Sequence, residues 1–286
     1  MGSAMAERLL QAGHPLWVHD LDAKRVDALV AQGAKPALDG AQIARHCELV
    51  LLCLPSPEAS LSVCRALVGG DRLRVVVETS TVGPAAVRAL AQALGEVVSV
   101  VDAPVSGGPS GARAGTLAMM CSGSSSALAQ ARPWLDRIAG RRFEVGDMPG
   151  LAQVCKLVNN AISAAGMIAA CEATLVGVKA GLDAGTLLEA INASSGRNAA
   201  TQDKFPRAIL NGRFDFGGPL GLMLKDLSLF NEQAAALGVG NTIAPVVLST
   251  WSEAVRRSGP QADYSEVIRH MEIDAGAQVR AKAGQA

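Results

Sequence analysis

Aromatic residues are scarce in this chain. Three tryptophans, one tyrosine and five phenylalanines among 286 residues leave few platforms on which nucleobases could stack. Charge of either sign in excess is absent too. With 26 basic and 26 acidic side chains, the chain has no electrostatic footprint for nucleic acid or an anionic membrane. No C-x-x-C pair occurs among Cys47, Cys53, Cys64, Cys121, Cys155 and Cys171. Most sit in apolar runs such as LVLLCLP, which reads as reduced, buried thiols rather than a disulfide framework. His14, His19, His46 and His270 show no H-x-x-x-H spacing, so no metal site is expected. No signal peptide is visible: Glu7 and Arg8 stand where a long apolar core would be needed, and a cytoplasmic protein is expected.

What is present is apolar and ordered. Apolar residues make up 49% of the chain and charged ones 18%, which disfavours disorder, and the length suits two domains. The first half alternates strands and helices. LWVHD (16–20), ELVLLCLP (48–55), LRVVVETS (73–80), EVVSVVDAPVSGG (96–108), GTLAMMCSG (115–123) and RRFEVG (141–146) read as strands. Continuous apolar strands separated by helical patterns predict a parallel sheet covered on both faces. From Gly150 the pattern becomes helical, and no strand pattern follows residue 146. A run of about thirty residues without proline opens this part. It contains Asn159, Asn160, Glu172 and Lys179, which a bilayer span should not carry, so a buried helix of a soluble protein is predicted. The chain therefore reads as an α/β Rossmann-type dinucleotide-binding domain over 1–149, its first strand missing. An all-α domain over 150–286 follows, beginning with a long interdomain helix.

Four motifs carry chemistry. MGSAMAERLLQAGHPLWVHDLD reads as helix, turn and strand. Gly2 can be the third glycine of G-x-G-x-x-G, and Gly13 closes the helix. Asp20 then falls where a carboxylate accepts from adenosine ribose hydroxyls and repels a 2′-phosphate, favouring NAD while leaving NADP possible. An ordinary helix–strand pair is the alternative. In VDAPVSGGPSGARAGTL (101–117), Ser106, Gly107 and Gly108 can present a hydroxyl and backbone N–H groups to a carboxylate, or simply form a tight loop between strands. In GLAQVCKLVNN (150–160), Lys156 and Asn160 are four apart and share a helix face. An amine there can serve as proton donor or acceptor, or can snorkel beside a satisfied amide. In LMLKDLSL (222–229), Lys225 and Asp226 interrupt an apolar helix, as an interhelical salt bridge also would.

Taken in order along nearly the whole chain, these motifs resemble the β-hydroxyacid dehydrogenase family, which includes 3-hydroxyisobutyrate dehydrogenase and tartronate semialdehyde reductase. MGSAMAERLLQAGH resembles its first helix, and DAPVSGG its substrate-binding signature. The resemblance implies that Leu54 and Pro55 of LLCLP border the cofactor, and that Ser80 and Thr81 of ETSTVGP sit near the nicotinamide. It implies that Lys156 of KLVNN is catalytic, that Asn160 contacts substrate, and that Lys225, with Asp226, lies next to the cofactor. A small 3-hydroxy acid or semialdehyde would bind between the domains, its carboxylate on Ser106, Gly107 and Gly108. A homodimer or homotetramer is implied as well.

Three departures stand out. The family's opening strand and first two glycines have no counterpart, so the true start is expected upstream. Ala152 replaces a usual glycine, and SSGRNAATQDKFP (194–206) differs from the 3-hydroxyisobutyrate version. Two rival readings follow. One is a truncated, inactive chain serving at most as a dimerisation partner. The other is a reductase of another small aldehyde or an imine on the same scaffold, although the retained Lys156 speaks against the imine branch.

Overall fold

The computed structural model describes residues 1–282. It divides into two compact units, Met1–Lys156 and the remainder from Leu157.

The first unit alternates α1 (Gly2–Gln11), β1 (Trp17–Val18), α2 (Ala23–Val30), β2 (Lys35–Pro36), α3 (Gly40–His46), β3 (Leu49–Leu52), α4 (Pro57–Leu67), β4 (Val75–Glu78), α5 (Pro84–Leu94) and β5 (Ser99–Asp102). It continues with β6 (Val105–Ser106), α6 (Gly108–Ala114), β7 (Leu117–Ser122), α7 (Ser125–Ile138) and β8 (Ala139–Gly146). Strands β3, β4 and β5 run parallel and in register, Leu52 beside Glu78 and Glu78 beside Asp102. Both faces of this ladder are covered, which is why its strands are apolar without alternation. Val75, Val77 and Val101 pack with Ala4, Met5 and Leu9 of α1 and with α7. Val50, Leu52, Val76 and Val100 pack with Cys64 of α4 and Val87 and Leu90 of α5.

Three strand expectations are corrected. The sheet is mixed rather than parallel throughout: β7 is antiparallel to both β5 and β6. A parallel neighbour needs a long crossover back across the sheet, and the chain between β5 and β7 instead turns over through β6 and α6. The predicted strand 16–20 shrinks to two residues because its one partner is the two-residue β2. Pro36 sits where no N–H is needed by β1: the bonds on either side come from the Lys35 N–H to Leu16 (2.8 Å) and the Ala37 N–H to Val18 (2.9 Å). Segment 96–108 is two strands, β5 and β6, separated by Ala103 and Pro104. Strands β1 and β2 form a two-stranded ladder of their own, apart from the six-stranded sheet of β3 to β8.

Helix α8 (Leu151–Lys179) starts in the first unit and continues into the second. It is not buried all round as predicted. Leu157, Ala164, Met167, Cys171 and Leu175 are buried, whereas Val158, Ile162 and Val176 are exposed. By length and composition it is apolar enough to cross a membrane.

The second unit adds α9 (Ala184–Asn192), a π-helical segment (Ala200–Ile209), α10 (Leu220–Ala236), α11 (Ile243–Ser258), a 3-10 turn (Tyr264–Ile268) and α12 (Arg269–Ala275). Phe205, Trp251, Val267 and Ile268 are at its centre. Pro206 lies inside the π-helical segment, where its missing N–H removes one rung of a regular helix.

Candidate active site

Helix α1 begins at Gly2, and neither a capping side chain nor an acidic residue occupies its first turn. The N-terminus of a helix at this place in a Rossmann-type unit is the arrangement that faces a pyrophosphate. A Cβ on Gly2 would stand 3.4 Å from Cys53 Cβ, an ordinary contact, so packing against the end of β3 does not by itself demand glycine here. Asp20 follows β1 with a side chain 40% exposed. Asp20 Oδ1 accepts the Asp22 N–H at 2.9 Å, and Arg25 pairs with the other oxygen at 3.6 Å.

Leu54 and Pro55 follow β3, and Ser80 and Thr81 follow β4. The two segments are clasped: the Leu54 N–H donates to Ser80 Oγ at 2.7 Å. Ser80 therefore has a structural task beside the cofactor-side role the resemblance implied. The candidates Asp20, Leu54, Pro55, Ser80 and Thr81 all lie at the carboxyl ends of parallel strands, where open α/β sheets bind dinucleotides. At that position these residues fit a nicotinamide dinucleotide.

Ser106 ends β6 half-buried, and Gly107 and Gly108 are exposed beyond it. Gly107 has φ +127° and Gly108 φ +64°, left-handed conformations that other residues rarely adopt. A Cβ on Gly107 would also press to 3.1 Å of Leu117 Cδ2. The open reading of this motif as a plain loop between strands is corrected, since α6 starts at Gly108.

Asp102, read at first only as part of that motif, anchors the start of α8. Its Oδ2 accepts the N–H groups of Gly150 (3.0 Å) and Gln153 (2.9 Å) and the Ser122 hydroxyl (3.4 Å). Burial pushes the Asp102 carboxyl up, and these donors, with the Gln153 side chain, pull it partway back. Its ladder neighbour Glu78 is wholly buried and also pushed up by burial, with Ser60 and Ser80 opposing. Sequence reasoning missed Glu78 and Gln153. Polar letters inside apolar runs, VVVETS and LAQVCK, were the available signal.

Lys156 is 7% exposed on α8, one turn beyond Gln153. In the second unit Asn160, Lys225 and Asp226 are brought together. Asn160 Nδ2 donates to Asp226 Oδ2 at 2.6 Å, and Lys225 Nζ pairs with Asp226 Oδ1 at 2.8 Å. The interhelical salt bridge is corrected: Lys225 and Asp226 pair with each other inside α10, and what Asp226 bridges to another helix is the Asn160 amide.

A Rossmann-type dinucleotide-binding unit that leads through a lysine-bearing helix into a helical unit defines a class of nicotinamide-dependent oxidoreductases. Comparison with known proteins agrees. Residues 1–146 match the family described as the NAD binding domain of 6-phosphogluconate dehydrogenase. Residues 150–271 match the one described as NAD-binding of NADP-dependent 3-hydroxyisobutyrate dehydrogenase. The NAD-dependent L-serine dehydrogenase of Pseudomonas aeruginosa is 36% identical over 93% of each chain. The 2-(hydroxymethyl)glutarate dehydrogenase of Eubacterium barkeri is 33% identical over 98% of this chain and 94% of its own. The solved structure of Mycobacterium tuberculosis 3-hydroxyisobutyrate dehydrogenase with L-serine superposes with a TM-score of 0.84, at 28% identity and 95% coverage of both chains. The chain belongs to the β-hydroxyacid dehydrogenase family, and it is an NAD(P)-dependent hydroxyacid dehydrogenase.

Proposed function

We propose that this chain oxidises the primary alcohol of a small 3-hydroxy acid to the semialdehyde, and reverses that step, with Lys156 as general acid/base. The observation that carries the reading is a buried lysine, 7% exposed, with Asn160 one turn further along the same helix. The substrates named for the relatives support it. L-Serine, 3-hydroxyisobutyrate and 2-(hydroxymethyl)glutarate share a CH2OH group and a carboxylate on one carbon. Only the third substituent of that carbon differs: amino, methyl or carboxyethyl.

The carboxylate rests on the Ser106 hydroxyl and the Gly107 and Gly108 amides. Lys156 Nζ takes the proton of the 3-hydroxyl as hydride leaves C3, and returns it to the aldehyde oxygen in reverse. The nicotinamide supplies the hydride acceptor or donor. Asn160, held by Asp226 and one helical turn beyond Lys156, orients the substrate or Lys156. Asp20 supports NAD as the preferred cofactor, through the ribose hydroxyls it can accept from. Exposed Val158, Ile162 and Val176 on α8 support a homodimer or homotetramer, which light scattering tests.

The test has two stages. NADH titration by fluorescence establishes the cofactor site. The three acids are then assayed with NAD and with NADP, using Lys156→Ala as the control. We expect turnover of at least one acid and, for Lys156→Ala, a loss of about a hundredfold or more in kcat with near-normal NADH binding. Full kcat in that variant removes Lys156 from the mechanism. NADH binding without turnover of any acid removes the substrate class.

A further inference from the structure

Gln153 is wholly buried in the first turn of α8, and both ends of its side chain are engaged. Oε1 accepts the N–H groups of Val82 and Gly83, each at 2.9 Å. Nε2 donates to the Ser80 carbonyl at 3.0 Å and to Asp102 Oδ1 at 2.7 Å. A carboxamide offers two donor hydrogens and two acceptor lone pairs, and all four are used. The segment it grips, 80–83, has no regular secondary structure between β4 and α5. Two of its N–H groups and one carbonyl are satisfied by this side chain in place of a ladder.

No other residue type can make this set. A glutamate would set a second oxygen against the Ser80 carbonyl and the Asp102 carboxylate. An asparagine is one methylene too short, and a methionine leaves Val82, Gly83 and Ser80 unpaired. The backbone of the same turn is pinned as well: the Gln153 N–H goes to Asp102 Oδ2, and the Ala152 N–H to Ser122 Oγ at 3.0 Å. Three residues on, the same helix face carries Lys156.

We propose that Gln153 is a positioning residue for catalysis: it locks the turn bearing Lys156 to the Ser80–Gly83 segment, so that proton-transfer group and cofactor-side loop keep one fixed geometry. The proposal rests on the reading of Lys156 as the acid/base. It separates from a purely stabilising role because it acts through one residue.

The test is Gln153→Met, of similar length and without hydrogen bonds, in the whole chain, alone and combined with Lys156→Ala. Turnover is read with the best of the three acids, and NADH affinity by fluorescence. Independently of turnover, labelling of lysine amines by an acylating reagent is read at Lys156 and at Lys204. Lys204 is also 7% exposed but lies in the second unit, and so serves as the control. We expect kcat to fall about tenfold to a hundredfold with NADH affinity kept, because small misplacements of a reacting group cost that much. No further loss is expected in the Lys156→Ala background. Labelling of Lys156 should accelerate about tenfold while Lys204 stays unchanged, since the loosening is local.

Wild-type kcat and labelling in a folded Gln153→Met overturn the proposal. So does an equal loss in both backgrounds, or acceleration at both lysines. Full kcat in Lys156→Ala alone sinks the reading beneath it, whereas a deficient Lys156→Ala beside a fully active Gln153→Met sinks only the positioning role. Should Gln153→Met not fold, Gln153→Glu carries the same test, because it keeps the two acceptor bonds to Val82 and Gly83.

Discussion

Asp226 stands between Asn160 and Lys225, accepting from the amide on one oxygen at 2.6 Å and from the ammonium on the other at 2.8 Å. Asn160 and Asp226 are each 7% exposed, so the amide cannot simply exchange its carboxylate for bulk water. We expect Asp226→Ala to destabilise the chain by about 1–3 kcal/mol, the cost of stranding a buried polar group. It should also lower kcat/KM. Asn160→Ala combined with Asp226→Ala should lose less than the sum of the two, by about 0.5–3 kcal/mol in a denaturant or kinetic cycle. Additive losses would show that the two residues act separately.

Asp20 and its neighbour offer a cofactor switch. Leu21 is 98% exposed, so replacing it costs no packing. Under the proposed NAD preference, Asp20→Ala with Leu21→Arg exchanges a carboxylate that would repel a 2′-phosphate for a guanidinium that would bind one. We expect the NADP/NAD ratio of kcat/KM to rise about tenfold or more, as a charge-assisted pair with phosphate allows. An unchanged ratio would show that Asp20 is not at the ribose.

Glu78 makes stability depend on pH. Burial raises its carboxyl above the ordinary 4.5 in the folded chain. A folded-state value above the unfolded one gives stability that is complete below about pH 4.5 and lost as pH rises through the folded value. Its Oε1 accepts the Ser80 N–H at 2.8 Å, a bond that a glutamine can keep. Glu78→Gln should therefore match the wild type near pH 4 and exceed it in Tm at pH 7. A Tm difference that does not change with pH would contradict this.

Buried thiols act at the alkaline end. Burial pushes Cys64 up to about 12 and Cys121 up to about 11, from 9.0. Their contribution is complete below pH 9 and is lost as pH climbs towards those values, because the unfolded thiols ionise first. Urea unfolding should show stability declining above pH 9, with the gap between wild type and Cys64→Ala narrowing across that range. Both thiols should resist alkylation at neutral pH, since the thiolate is the reactive form. Rapid alkylation of native Cys64 would refute its burial as the cause.

Local sequence determined the elements whose burial is periodic or continuous. VVVE had to be a central strand because both of its faces are covered, and Gly2 to Gln11 a helix because its apolar residues recur with the turn. It also placed Lys156 and Asn160 one turn apart, and it put Gly107 and Gly108 where the backbone needs positive φ. Tertiary structure decided what depends on partners distant in the chain. Residues 16–20 gave only a two-residue strand, because strand length is set by the partner. Asp102 became the anchor of a helix start some fifty residues away, and Gln153 the clasp of a loop some seventy residues before it. No local pattern records such bonds, since a buried carboxylate or amide is stable only when the whole fold delivers its hydrogen-bond partners.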